Sequence, residues 1–165
     1  MKILLLDIET APNKAYVWGF FDQNISASQL EASSYILCWA AKWFGEKEIM
    51  FSSIERDGER NMLKKIHSLL DEADVVVHYN GKKFDIPALN KEFITKDFPP
   101  PSPYKQIDLL PIASRKFKFA SNKLDFLAQV LKVGQKERHK GFKLWIECMN
   151  KDPEAWKKME KYNKQ

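Results

Sequence analysis

The run Ile3-Leu4-Leu5-Leu6, ending in Asp7-Ile8-Glu9-Thr10, constrains this chain more than any other segment. An apolar run of that length, bounded by polar residues, reads as a buried strand. Side chains alternate across a strand, so Asp7 and Glu9 fall on one face and Ile8 on the other. Two carboxylates side by side where a buried strand emerges repel each other and lose solvation. A bound cation relieves both costs. Hard oxygen donors of this kind select magnesium or manganese, Mg²⁺ or Mn²⁺. The competing reading is a strand end whose aspartate caps a turn, so other acids must decide between the two.

At 165 residues and 19.3 kDa the chain is read as one domain, 1–165, long enough for a proper core. Lys and Arg outnumber Asp and Glu by 27 to 22, a net charge of +5 that permits a polyanionic partner without demanding one. Cys38 and Cys148 are too few and too far apart for a disulfide framework or a zinc knuckle, and read as reduced core residues. Met1 to Leu6 is too short for a signal peptide, and no stretch is long enough to span a membrane. The expectation is a soluble, cytoplasmic protein with no membrane partner.

Tyr35 to Phe44 has strand composition, and Glu48 to Ser52 is placed to pair with it across the turn at Gly45-Glu46. Tyr16 to Phe21 is aromatic and reads either as a strand or as a loop with exposed rings. From Asp57 to Leu70, apolar Met62, Leu63, Ile66, Leu69 and Leu70 make a helical stripe. Val75 to His78 is a short buried strand, closed by the turn signal Asn80-Gly81. Helical spacing resumes from Phe84 to Ile94, with Pro87 in the first turn, where it is tolerated. Pro99 to Pro103 is an extended connection. Helices are then expected over Leu109 to Phe117, Asn122 to Leu131 with Ser121 or Asn122 as cap, Phe142 to Met149, and Pro153 to Asn163 behind the cap Asp152. Lys132 to Lys140 reads as a basic loop. Strands first, then strand and helix alternating, then helices: this order predicts an α/β fold with a mixed sheet and the first strand central.

The second motif is His78-Tyr79-Asn80-Gly81-Lys82-Lys83-Phe84-Asp85. A buried strand ends, a turn follows, and Asp85 opens a helix. Ligands of open α/β sheets gather beyond the carboxyl ends of strands, so Asp85 can face Asp7 and Glu9 as a third acid. Alternatively it is a first-turn acid stabilised by the helix dipole. His67, within an amphipathic helix, and His139, in a charged loop, do not read as ligands. Asp108 reads as a helix cap.

Asp-Ile-Glu-Thr near the start and Asn-Gly-x-x-Phe-Asp after a strand resemble the DEDD (DnaQ-like) superfamily of 3′–5′ exonucleases, which has the ribonuclease H-like fold: a mixed central sheet flanked by helices. Tyr16-Val17-Trp18-Gly19, Ile107-Asp108-Leu109 and Ser121-Asn122-Lys123-Leu124 are similar to its phage-type branch of predicted exonucleases, whose setting is a bacterial or phage-infected cytoplasm. Tyr79 stands where many such proteins have His.

The resemblance implies a hydrolase of phosphodiester bonds at the 3′ end of single-stranded DNA, or of RNA, with DNA favoured. It implies Asp7, Glu9 and Asp85 as metal ligands, holding two divalent ions about 3.5–4 Å apart in a complete site. Tyr162 would orient or deprotonate the attacking water. Thr10, Asn80 and Lys83 would meet the substrate. The family pattern carries a fourth acid in a Tyr-x-x-x-Asp motif, and the sequence given reads Tyr162-Asn163-Lys164-Gln165. Truncation is the favoured explanation, with a natural three-carboxylate variant the other. One ion and weak or absent turnover are expected of this form. Tyr16, Trp18, Phe20 and Phe21 are candidate stacking platforms, although core packing is favoured for most of them. Lys82-Lys83, Arg115-Lys116-Phe117-Lys118 and the 132–140 loop add basic groups whose ordinary reading is solvated surface. The alternatives are a ribonuclease of the same fold and a catalytically impaired nucleic-acid-binding module. A polymerase or repair partner would be a separate protein.

Overall fold

The opening apolar run becomes β1 (Ile3–Thr10), and its burial alternates as a strand requires. Leu4, Leu6 and Ile8 are buried, while Leu5 and Asp7 are exposed. The computed structural model describes residues 1–135 and 141–165. The stretch 136–140, with His139 and the end of the basic loop, lies outside the described residues.

A two-stranded hairpin follows β1, formed by β2 (Lys14–Ala15) and β3 (Leu30–Ala32). The main sheet resumes with β4 (Ile36–Trp43) and β5 (Met50–Ser53), which pair antiparallel, β4 also lying antiparallel to β1. On the other side β6 (Val75–His78) and β7 (Lys105–Asp108) run parallel to β1. The order β5-β4-β1-β6-β7 puts β1 in the middle of a five-stranded mixed sheet. This is the α/β arrangement predicted above, with helices on both faces.

One face of the sheet is covered by α2 (Glu59–Glu72), entered through the short α1 (Ile54–Asp57), and by α3 (Asp85–Thr95). Met62, Leu63, Ile66 and Leu70 of α2 are fully buried, each contributing about 1.5–3 kcal/mol by leaving water. His67 sits on that buried face as a core histidine, its Nε2 2.8 Å from the Pro99 carbonyl and its ring edge-on to Phe93 at 5.1 Å. The opposite face, which carries Asp7 and Glu9, meets α6 (Lys143–Met149) and α7 (Pro153–Asn163) through Leu144, Cys148, Trp156, Met159 and Tyr162. Asp152 caps α7 by accepting from the Glu154 and Ala155 amides. Two lesser helices, α4 (Leu109–Lys116) and α5 (Leu124–Val130), follow β7 at the sheet edge.

The structure departs from the sequence reading at β7, in α3 and at the start of α5. β7 has the polar sequence Lys-Gln-Ile-Asp and was not expected; as an edge strand it needs only a ladder partner. Phe84 is 47% exposed, and the buried stripe of α3 runs instead through Ile86, Leu89 and Phe93. Lys123 precedes α5 without a side-chain cap, while Ser121 accepts the Lys123 amide. No helix among the described residues is long and apolar enough to cross a membrane.

Candidate functional site

β1 outruns its parallel neighbour. The β1–β6 register ends at Leu5 opposite Val77, and β6 stops one residue later at His78. Beyond that point the Ile8 amide has no strand to bond on the β6 side. It donates instead to Asp85 Oδ1 at 3.0 Å. A carboxylate from the first turn of α3 thus replaces a ladder carbonyl at the carboxyl end of the sheet, beside the residue that separates Asp7 from Glu9.

The chain between β6 and α3 is built to deliver Asp85 there. Asn80 adopts a left-handed conformation (φ 65°), which Asn tolerates better than most residues. Gly81 lies against the buried His78 ring, whose Nδ1 accepts the Gly81 amide at 3.1 Å. His78 Nε2 faces Gln106 Oε1 at 3.3 Å, so a neutral imidazole protonated at Nε2 satisfies both contacts. Asp108 holds the turn from the other side. Its Oδ1 accepts from the Asn80 amide at 2.8 Å and the Leu110 amide at 3.1 Å, and its Oδ2 from the Lys82 amide at 3.2 Å. Burial pushes its carboxyl up, but these three backbone donors hold it below the usual range. Asp108 is therefore both a helix cap, as expected, and the anchor of the turn that leads to Asp85. Asp108→Ala should lower stability by about 2–4 kcal/mol, since three part-buried hydrogen bonds lose their acceptor. Asp108→Asn, which keeps the Oδ1 contacts, should recover roughly half of that. Urea midpoints of the two variants measure the difference; equal losses would contradict this role.

Asp85 is 3% exposed. Burial first, and then the charge of Asp7, push its pKa up to about 7, against the Ile8 amide, which favours the charged form. Asp7 Oδ2 accepts from Asn163 Nδ2 at 2.8 Å, and Asn163 Oδ1 lies 3.7 Å from the buried Cys38 thiol. Glu9 Oε2 accepts from the Trp145 indole at 3.2 Å. Trp145 in turn meets the buried Tyr162 ring edge-on at 5.7 Å. The Cys38 thiol is pushed well above its ordinary value by burial and by Glu9, Cys148 and Asp7 nearby, which makes it an inert wall.

Asp7, Asp85 and Ile8 are thus brought together, with Glu9 on the same strand face as Asp7, and Tyr162 reaches this group through Trp145. Among the described residues no three His, Cys, Asp or Glu side chains form a ready cage for a metal ion. Among the described residues, Asp7, Glu9 and Asp85 each accept from a different neutral donor. The donor set still fits a hard divalent cation, being all carboxylate oxygen.

Thr10 ends β1, where the register with β4 slips from Glu9–Cys38 to Thr10–Ile36. Asn80 is half-buried in its turn and Lys83 exposed beside it, at the same end of the sheet. The aromatic loop is a correction. Tyr16, Trp18, Phe20 and Phe21 are 70%, 100%, 96% and 86% exposed rather than packed in the core. They lie within the span joining β2 to β3, whose hairpin belongs to neither core cluster.

Asn163 and Trp145 were not singled out from the sequence. Asn163 had a signal: it continues the buried stripe of Trp156 and Met159, and a polar residue on such a stripe calls for a partner. Trp145 had none.

The family model of the RNase H superfamily matches residues 4–165. No curated protein matches the chain. Among solved structures, the family B DNA polymerase from the hyperthermophilic archaeon Pyrobaculum calidifontis is similar in fold. The likeness has a TM-score of 0.72 at 16% identity and covers 98% of this chain and 22% of the polymerase. The chain therefore spans about a fifth of that protein's length.

Proposed function

Because the chain belongs to the RNase H superfamily, we propose that it is a nuclease: a divalent-metal-dependent 3′–5′ exonuclease of the DEDD type and its phage-type branch, acting on single-stranded nucleic acid, DNA in preference to RNA. The observation that carries this reading is the hydrogen bond from the Ile8 amide to Asp85, a buried acid that feels the charge of Asp7. Burial and then the charge of Asp7 make this carboxyl keep its proton up to about pH 7, and a cation held beside it would favour the charged form.

Asp7, Glu9 and Asp85 would hold Mg²⁺ or Mn²⁺. Such ions, when bound, lower the pKa of water and stabilise charge on a leaving oxygen. The chain's own residues have separate tasks in this reading. Asn163 and Trp145 orient the Asp7 and Glu9 carboxylates by donating to one oxygen of each. Asp85 would lose its proton to solvent on acting as a ligand beside Asp7. Tyr162, steadied against Trp145, would orient the attacking water. Thr10, Asn80 and Lys83 would meet the terminal nucleotide.

The test incubates end-labelled single-stranded DNA and RNA with Mn²⁺ and either this chain or a form extended at its carboxyl end, each with and without Asp7→Ala. Loss of a metal-holding carboxylate should cost roughly 4 kcal/mol of transition-state stabilisation, about a thousandfold in rate. Intact substrates throughout would end the nuclease reading, and Asp7→Ala as fast as its parent would end the site. Degradation of RNA alone would favour a ribonuclease of the same fold.

A further inference from the structure

Among the described residues, the segment running through α4 and α5 is strongly one-sided in charge. Residues 109–135 carry Arg115, Lys116, Lys118, Lys123 and Lys132 against one acid, Asp125. Elsewhere many cations are neutralised in place, as Lys2 is by Glu72, Arg56 by Glu160 and Lys96 by Glu59. Arg115, Lys116, Lys118 and Lys123 are all exposed, and none forms an ion pair with a described residue. Uncompensated like charges held close together cost free energy, and a polyanion offsets that cost.

An aromatic surface runs through the same cations. Phe117 is 56% exposed, and its ring lies 5.5 Å from that of Phe119, tilted by 37°. The segment is also fastened to the acidic site. The Tyr79 hydroxyl donates to the Asn122 carbonyl, tying residues 117–123 to the end of β6. Asp108, which caps α4, also grips the turn that leads into Asp85. The exposed rings of the β2–β3 hairpin offer area without such charge: their span from residue 16 to 25 contains one charged residue, Asp22.

We propose that the α4–α5 face is a track for an unpaired nucleic-acid strand, with Arg115, Lys116, Lys118 and Lys123 on its phosphates and Phe117 stacked on a base. Exposed rings set among lysines suit single strands, whose bases offer free π-faces, whereas a duplex hides them. That the track feeds Asp7, Glu9 and Asp85 rests on the nuclease reading; that it binds the strand does not.

The experiment measures fluorescence anisotropy of a labelled oligothymidylate with the full chain in EDTA, over a range of salt. Lys116→Glu with Lys118→Glu should weaken binding at least about tenfold and flatten the slope of log K against log salt by roughly 1.4, two contacts' worth for a single strand. Phe117→Ala should weaken it by about 5- to 100-fold, the loss of one stacked base. Circular dichroism and urea midpoints, expected to match the parent at these exposed positions, separate lost binding from lost folding. Parent-like binding by folded variants overturns the track. Sensitivity to the lysines with none to Phe117 also overturns it, showing a general polyanion surface such as one for an acidic protein. Cleavage of thymidine 5′-monophosphate p-nitrophenyl ester in Mn²⁺ by the form extended at its carboxyl end reports on the nuclease reading separately.

Discussion

Replacing Asp85 with asparagine is expected to produce a protein that is harder to unfold at pH 8 than its parent and yet has lost hydrolysis. The folded Asp85 carboxyl titrates at about 7 against an ordinary value of 3.8. Between those values the native chain holds a proton that the unfolded chain has released. The native state therefore binds more protons, and stability falls as pH rises. The stability present below about pH 4 is lost as pH passes 7, and the sum is roughly 4 kcal/mol for a group this buried. Asparagine escapes that penalty because it carries no charge, and its Oδ1 still accepts the Ile8 amide. In EDTA the variant should exceed the parent by about 2–4 kcal/mol at pH 8 and match it near pH 4. Added Mn²⁺ should raise the parent's unfolding midpoint, since a ligand of the folded state stabilises it, and leave the variant nearly unmoved. A variant equal to or weaker than the parent at pH 8 would mean that Asp85 is not held as a strained acid.

Gly81→Ala should do the opposite, lowering stability and activity together. A β-carbon at Gly81 would stand 2.4 Å from His78 Cγ and 2.6 Å from its Nδ1. His78 is 3% exposed and sits on the last residue of β6, so the ring has nowhere to retreat. The turn must open instead, breaking the Gly81–His78 bond and loosening the two amides held by Asp108. Overpacking of this kind costs about 1–3 kcal/mol. The functional loss should be larger, because the turn sets where Asp85 meets β1, and a shift near 1 Å in a reacting group costs about a hundredfold. The urea midpoint and the turnover number, read on one preparation, test the two halves. A Gly81→Ala protein with parental values of both would show that the turn does not position the acid.

How far the site could be read in advance follows from how far its causes lie apart along the chain. Asp7 and Glu9 share a face because strand geometry is local, and the apolar run ahead of them is enough to indicate it. The turn at Asn80-Gly81 and the first-turn position of Asp85 are equally local, as are the Asp152 cap and the bounds of α7. The short edge strand β7 escaped notice because its Lys-Gln-Ile-Asp pattern gains definition only from lying beside β6. The rings from Tyr16 to Phe21 have the composition of a core, yet composition does not say whether anything will cover them.

From its own order of residues, then, the chain determined a mixed α/β sheet with a central first strand and three acids due at one end of it. Tertiary structure alone decided what those acids touch. Trp145 reaches Glu9 across 136 residues and Asn163 reaches Asp7 across 156. The raised pKa of Asp85 likewise needs burial beneath elements that no local pattern brings near. Side-chain direction follows from a few neighbouring residues, whereas solvation and electrostatic coupling depend on everything that packs within a few ångströms, wherever it lies in the chain.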